Sequence, residues 1–236
     1  MPASSPHGAE LTVLVPALNE EATIRQVIER VLAVPLRIEL IVIDDGSTDK
    51  TPAILREFEG RIFVLRNETP QGKGAAIRKG LEHATGRAVI IQDADLEYLP
   101  EEIPQVAGPI LAGAEMVVYG TRFSKGMPAG MALPNKIVNV LLAWAVRLLY
   151  GRRLTDEATC YKAFETELLR RMELRCRRFE FCPEATAKAI RLHRRIAEVP
   201  ISYTPRTTIE GKKIRWTDAP QAFWTLLRYR LWQPRS

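Results

Sequence analysis

Two aspartates one residue apart, Asp93 and Asp95 in the stretch QDADLEYLP, follow directly on the apolar run RAVII. Side chains at alternate positions of an extended chain point to the same side, so carboxylates at this spacing can share one divalent cation. A solvated turn at a strand end has the same composition, and the motif alone leaves both readings open. Three more clusters of polar residues end apolar runs in the same way: residues 16–20 in VPALNEE, 44–47 in IVIDDGS and 120–122 in VVYGTR.

The elements that would position these clusters alternate along the chain. LTVLVPA, IELIVIDD, RIFVLRN, RAVIIQDAD and AEMVVYG read as strands, and EEATIRQVIERVL, KTPAILREF, GKGAAIRKGLEHA and PEEIPQVAGPILAG read as helices between them. Near-continuous apolar strands alternating with amphipathic helices predict an α/β fold, a doubly wound and mostly parallel sheet with helices on both faces. In such sheets ligands bind beyond the carboxyl ends of the strands, where the polar clusters fall.

Beyond Arg122 the pattern changes. A Gly/Pro-rich stretch, FSKGMPAGMALP, leads to a helix NKIVNVLLAWAVRLLY ended by Gly151, and then to PEATAKAIRLHRR, IAEVPISY and the aromatic WTDAPQAFWTLLRYRLW. Helical spacing groups Val138, Leu141, Leu142, Ala145, Leu148 and Leu149 on one face, opposite Lys136, Asn139, Ala143 and Arg147. Trp, Tyr and Arg beside an apolar face suit a membrane interface, and they also suit packing against the domain. Residues 1–9 read as a disordered tail, and residues 10–236 as one domain with halves at 10–122 and 123–236.

Composition sets limits on function. The 236 residues suffice for one sizeable core. The three cysteines, Cys160, Cys176 and Cys182, lack framework spacing and read as free thiols in a reducing compartment. The N-terminus lacks a signal-peptide pattern, and the longest apolar run is too short to span a bilayer, so the expectation is a cytoplasmic protein without a transmembrane helix. Charge is uneven: residues 1–119 hold 11 Lys/Arg against 18 Asp/Glu, net −7, and residues 120–236 hold 23 against 10, net +13. A basic half can meet nucleic acid, anionic headgroups or a phosphate-rich small molecule. Apolar residues interrupt the basic runs RRMELRCRR and RLHRR, which argues against nucleic acid. PALNEE replaces the GxGxxG that a dinucleotide-dependent oxidoreductase would need.

In order, VPALNEE, IVIDDGSTDKT, GKGAAIRKG, IQDADLE, YGTR and PRTTIEGKKIRW resemble the motifs of family-2 glycosyltransferases, most closely the dolichol- or polyprenyl-phosphate mannose or glucose synthases. The resemblance covers about residues 10–232. It implies a GT-A-type fold with amphipathic interface helices, Mg²⁺ or Mn²⁺, a nucleotide-sugar donor (GDP-mannose or a UDP-sugar) and a polyprenyl phosphate acceptor. It also implies a position peripheral to the inner face of the membrane. The expected reaction is a single in-line displacement at the anomeric carbon with inversion; a soluble or polysaccharide hydroxyl is the alternative acceptor.

Residue by residue, the resemblance implies a metal held by Asp93, Asp95 and Glu97, with Glu97 where many relatives carry Gln. Donor contacts run through Pro16, Ala17, Leu18, Glu20, Asp44, Lys73, Asp93, Ala94 and Asp95; Leu18 stands where an aromatic is frequent. Arg122 and Arg206 are the implied phosphate clamps and, with Asp95, the catalytic set, because the planar guanidinium fork binds phosphate bidentately. Lys212 and Lys213 belong to a loop closing over the donor, and Asp156 matches a family aspartate. A lipid phosphate is already anionic and needs no base, whereas a hydroxyl acceptor would need one, for which Asp156, Glu180 and Glu184 are candidates. His7, His83 and His193 lie outside every motif.

Overall fold

Most of the strands form where the sequence is apolar on both faces. Among the described residues seven strands make one sheet, β1 (Leu11–Ala17), β2 (Ile38–Asp44), β3 (Phe63–Arg66), β4 (Ala88–Ile91), β5 (Val117–Thr121), β6 (Lys162–Glu165) and β7 (Ala197–Pro200), in the order β3-β2-β1-β4-β6-β5-β7. The structure is a computed structural model and describes residues 8–124, 126–128, 130–205 and 218–234; the expected tail falls largely on residues 1–7, outside them. Strands β1 to β4 pair in parallel, as does β5 with β7. All four residues of β4 are buried, as a strand covered on both faces requires.

The covering helices carry their apolar residues at helical spacing. In α1 (Ile24–Leu32) the buried residues are Ile24, Val27, Ile28 and Val31. The remaining helices are α2 (Thr51–Arg56), α3 (Lys73–His83), α4 (Ile103–Leu111), α5 (Leu133–Tyr150), α6 (Thr166–Arg171), α7 (Phe181–Arg191) and α8 (Ala219–Arg228). Helix α5 stops where expected, because Gly151 takes the left-handed conformation (φ 67°) and donates its N–H to the Arg147 carbonyl.

Strand β6 corrects the sequence reading, in which KAFE was not a strand. It inserts between β4 and β5 antiparallel to both, with Phe164 opposite Val89 on one side and Val117 on the other. Four residues are too few to show a period, and the pairing joins segments far apart in the chain. A second correction concerns α5. Its buried residues are Asn139, Leu142 and Val146, so the amide assigned to the polar side points inward, while Leu141 and Leu148 lie outside.

Strand order reverses beside β1, with β2 and β3 on one side and β4 on the other, leaving a crevice past the ends of β1 and β4. No helix of the described residues is long and apolar enough to cross a membrane.

Candidate active site

At that crevice the chain builds a cavity of about 500 Å³. Pro16 and Ala17 at the end of β1, Leu18 and Glu20 just past it, and Asp93, Ala94, Asp95 and Glu97 past β4 line the cavity. Lys73, Arg122 and the candidate base Glu180 also line it. The loop after β1 is clasped to the loop after β2, since Asn19 N–H donates to Ser47 Oγ at 2.9 Å and Thr48 N–H to Asn19 Oδ1 at 2.8 Å. Thr23 Oγ1 donates to the Ala94 carbonyl at 2.7 Å and ties α1 to the aspartate motif.

Of the paired aspartates after β2, the structure brings Asp45 and not Asp44 to the cavity. Asp44 accepts Ser47 N–H at 2.9 Å, pairs with Arg66 at 3.4 Å and lines a separate small cavity. Asp45 accepts from Asn67 Nδ2, Gln71 N–H and Gly72 N–H at 2.7, 2.9 and 2.7 Å. It thereby fixes the turn into α3, where Gly72 has φ 96°. Adjacent residues of a strand point to opposite faces, and the apolar pattern of IVIDD does not show where the strand stops.

The aspartate motif is a turn and not an extended segment, because β4 ends at Ile91 and Leu96 has φ 60°. Asp95 Oδ1 accepts Glu97 N–H at 3.0 Å, a local bond typical of aspartate in turns. Lys73 is ion-paired with Asp93. Burial works against the Lys73 ammonium, but the Asp93 carboxylate outweighs it and holds the amine charged, well above the ordinary lysine range. Burial, then the Asp93 and Glu97 carboxylates, push the Asp95 carboxyl up to about 7. Glu97 turns toward Tyr203, whose hydroxyl donates to Oε2 at 3.1 Å.

These are hard oxygen donors, which suit Mg²⁺ or Mn²⁺, and a cation would relieve the crowding of negative charge that raises Asp95. Among the described residues no three Asp, Glu, His or Cys side chains converge into a ready cage. That fits a cation held by one or two carboxylates and completed by substrate phosphate and water.

Arg122, at the end of β5, faces the same cavity. Nε donates to Asp156 Oδ2 and Nη2 to Asp156 Oδ1, both at 2.7 Å, and Nη2 also reaches Asn139 Oδ1 at 3.0 Å. The guanidinium lies 5.0 Å from the ring centroids of both Phe123 and Tyr203. Asn139 and Tyr203 escaped the sequence reading; the only signal was one amide interrupting the apolar run IVNVLLAWAV. Arg206, Lys212 and Lys213 lie outside the described residues.

The three carboxylates considered as bases are already engaged. Asp156 holds Arg122. Glu180 accepts from the Arg177 and Arg178 N–H groups, and Glu184 from the Arg175 and Cys176 N–H groups and from Lys188. Of the cysteines, Cys160 and Cys182 line the cavity with their sulfurs 3.7 Å apart; all three are free thiols.

The far wall of the cavity is formed by α5 and α8, through Asn135, Val138, Asn139 and Leu142 and through Ala219, Gln221 and Ala222. Their opposite sides present Leu133, Ile137, Leu141, Trp144 and Leu148, and Trp224 and Leu227, to the exterior, with Leu231 just beyond α8. Leu148 is 85% exposed and Leu231 81%. Arg147 lies over Trp144 with 5.3 Å to the centroid.

Residues 12–174 match the family model described as glycosyl transferase family 2. The UDP-N-acetylglucosamine--dolichyl-phosphate N-acetylglucosaminyltransferase of Methanococcus voltae is 29% identical over 86% of this chain and 89% of its own. The dodecaprenyl-phosphate galacturonate synthase of Rhizobium johnstonii is 28% identical over 84% of this chain, which spans 60% of that longer relative. Among solved structures, glucosyl-3-phosphoglycerate synthase from Mycobacterium tuberculosis, in complex with Mn²⁺, UDP and glucosyl-3-phosphoglycerate, superposes with a TM-score of 0.72 at 27% identity, covering 97% of this chain and 82% of that one.

Proposed function

The chain belongs to glycosyl transferase family 2, and on that premise we propose that it transfers a sugar from a nucleoside-diphosphate sugar to a polyprenyl phosphate at a membrane surface, with inversion at the anomeric carbon. The observation that carries the acceptor assignment is the double role of α5 and α8. One side of each lines the cavity and the other is an exposed apolar surface, so a lipid chain can rest against the helices while its phosphate enters the site. Lys136, Arg147, Arg228 and Arg230 belong to the same region, and anionic headgroups attract such residues by about 1 kcal/mol each.

A lipid phosphate attacks as an anion and requires no base. Asp156, Glu180 and Glu184, the carboxylates considered as bases, are each hydrogen-bonded within the protein. The donor lies along the ends of β1 and β4, its base and ribose against Pro16 to Leu18 and its diphosphate toward Asp93 and Asp95. Asp95, with Asp93 beside it, would hold Mg²⁺ or Mn²⁺, and the bound cation would supply charge neutralisation for the leaving diphosphate. Arg122, fixed by Asp156, presents its cation to the reacting phosphates, and catalysis is positioning and electrostatic stabilisation.

A soluble acceptor is the second reading, favoured by the likeness to glucosyl-3-phosphoglycerate synthase. A panel of nucleotide sugars, assayed for release of nucleoside diphosphate with Mn²⁺ and either polyprenyl phosphate in detergent or 3-phosphoglycerate, separates the two. Release dependent on the lipid supports the proposal, and release dependent on phosphoglycerate alone refutes it.

A further inference from the structure

A carboxyl group withdrawn from water without a hydrogen bond destabilises a fold unless something else supplies its partner. Glu157 is in this state. It is 1% exposed, neither Oε1 nor Oε2 is hydrogen-bonded, and it lines the large cavity next to Ala158 and in company with Arg122. Asp44 Oδ2 and Gln92 Oε1 are also buried without a hydrogen bond, but Asp44 Oδ2 is paired with Arg66, Asp44 Oδ1 accepts from Ser47 N–H, and Gln92 Nε2 donates to the Asp93 and Tyr98 carbonyls. Among the described residues only Glu157 has both oxygens of a carboxyl group in this condition.

The backbone around it is fixed. Thr155 N–H and Asp156 N–H donate to Glu198 of β7, the Asp156 carboxylate is locked on Arg122, and the Glu157 carbonyl accepts from buried Lys162 Nζ at 2.7 Å. That ammonium sits 3.3 Å from the Tyr119 ring centroid, so it spends its contacts on a carbonyl and a ring. Burial raises the Glu157 carboxyl above the ordinary glutamate range, opposed in part by Lys162 and by the nearby Thr186 hydroxyl. When protonated, the group can donate as well as accept.

Three kinds of group could enter the cavity beside Glu157. A phosphate oxygen only accepts and an isoprenoid chain does neither, whereas a hydroxyl donates and accepts and can satisfy both oxygens of the carboxyl group. We propose that Glu157 binds a hydroxyl of the sugar carried by the nucleotide and so takes part in choosing the donor. The inference rests on the cavity being a nucleotide-sugar site.

Calorimetry without acceptor tests it, using UDP-glucose against UDP and GDP-mannose against GDP, with Mn²⁺, on the wild type, Glu157→Met and Glu157→Gln. The expected result is that Glu157→Met weakens binding of the nucleotide sugar by about tenfold or more while leaving the nucleoside diphosphate unchanged. Glu157→Gln, which keeps the shape and can still hydrogen-bond, should recover part of the loss. An unchanged ratio of the two affinities in Glu157→Met overturns the inference, whether the variant is more or less stable than the wild type. If neither UDP nor GDP binds the wild type, the nucleotide-sugar reading is refuted instead, so the two failures are distinguishable.

Discussion

The Arg122 guanidinium and the Asp156 carboxylate form a two-pronged pair, 2.7 Å on each prong, with the arginine side chain 7% exposed and the aspartate fully buried. Burial opposes the guanidinium charge, and Asp156 outweighs it, so Arg122 stays a cation while facing the cavity. Removing one member of a buried pair leaves the other uncompensated. Asp156→Ala should therefore destabilise the fold by about 3–5 kcal/mol, measured by denaturant unfolding, and lower turnover as well. Arg122→Lys should not restore activity, because an ammonium cannot reproduce the fork. A loss of stability under about 1 kcal/mol in Asp156→Ala would show that the pair is not what holds Arg122.

The Asp95 carboxyl gives a pH signature in the metal-free protein. Its folded pKa of about 7 lies above the unfolded value near 3.8, so between these values the folded state binds more protons and stability falls as pH rises. Asp95→Asn lacks that term. The variant should be more stable than the wild type at pH 8 in EDTA, with the difference shrinking toward pH 4, and it should be inactive with Mn²⁺ at any pH. A wild-type turnover rate in Asp95→Asn, or full wild-type activity in excess EDTA, contradicts the metal assignment.

Helix α5 separates surface from core within one turn. Leu148 is 85% exposed and Val146 is fully buried. Leu141→Glu and Leu148→Glu should leave the thermal midpoint nearly unchanged and reduce co-sedimentation with anionic vesicles at low salt. Val146→Asp should unfold the protein. Unfolding by the first two substitutions, or sedimentation indifferent to them, would show that the outer face does not meet a bilayer.

The alternation of apolar strands and amphipathic helices carried the first half of the fold, because a fully covered parallel sheet leaves a strong pattern. Strand β6 was invisible, since four residues paired across the sheet owe their conformation to their neighbours and not to a local period. The cavity gathers most of the residues named from motifs, because strand ends are recognisable where apolar runs stop. Which of Asp44 and Asp45 faces it depends on a one-residue step at the end of β2, and no pattern records that. Asn139 was placed on the polar side because helical spacing assigns an amide outward, and only the buried Arg122 gives a reason to turn it inward.

The most direct measurement follows a radiolabelled sugar from its nucleotide into product. Purified protein with Mn²⁺, the nucleotide sugar selected by the panel and a polyprenyl phosphate in vesicles should move label into the organic phase, as one sugar per lipid phosphate with inverted anomeric configuration. Label that stays in the aqueous phase with lipid present, while 3-phosphoglycerate accepts it, would contradict transfer to a polyprenyl phosphate.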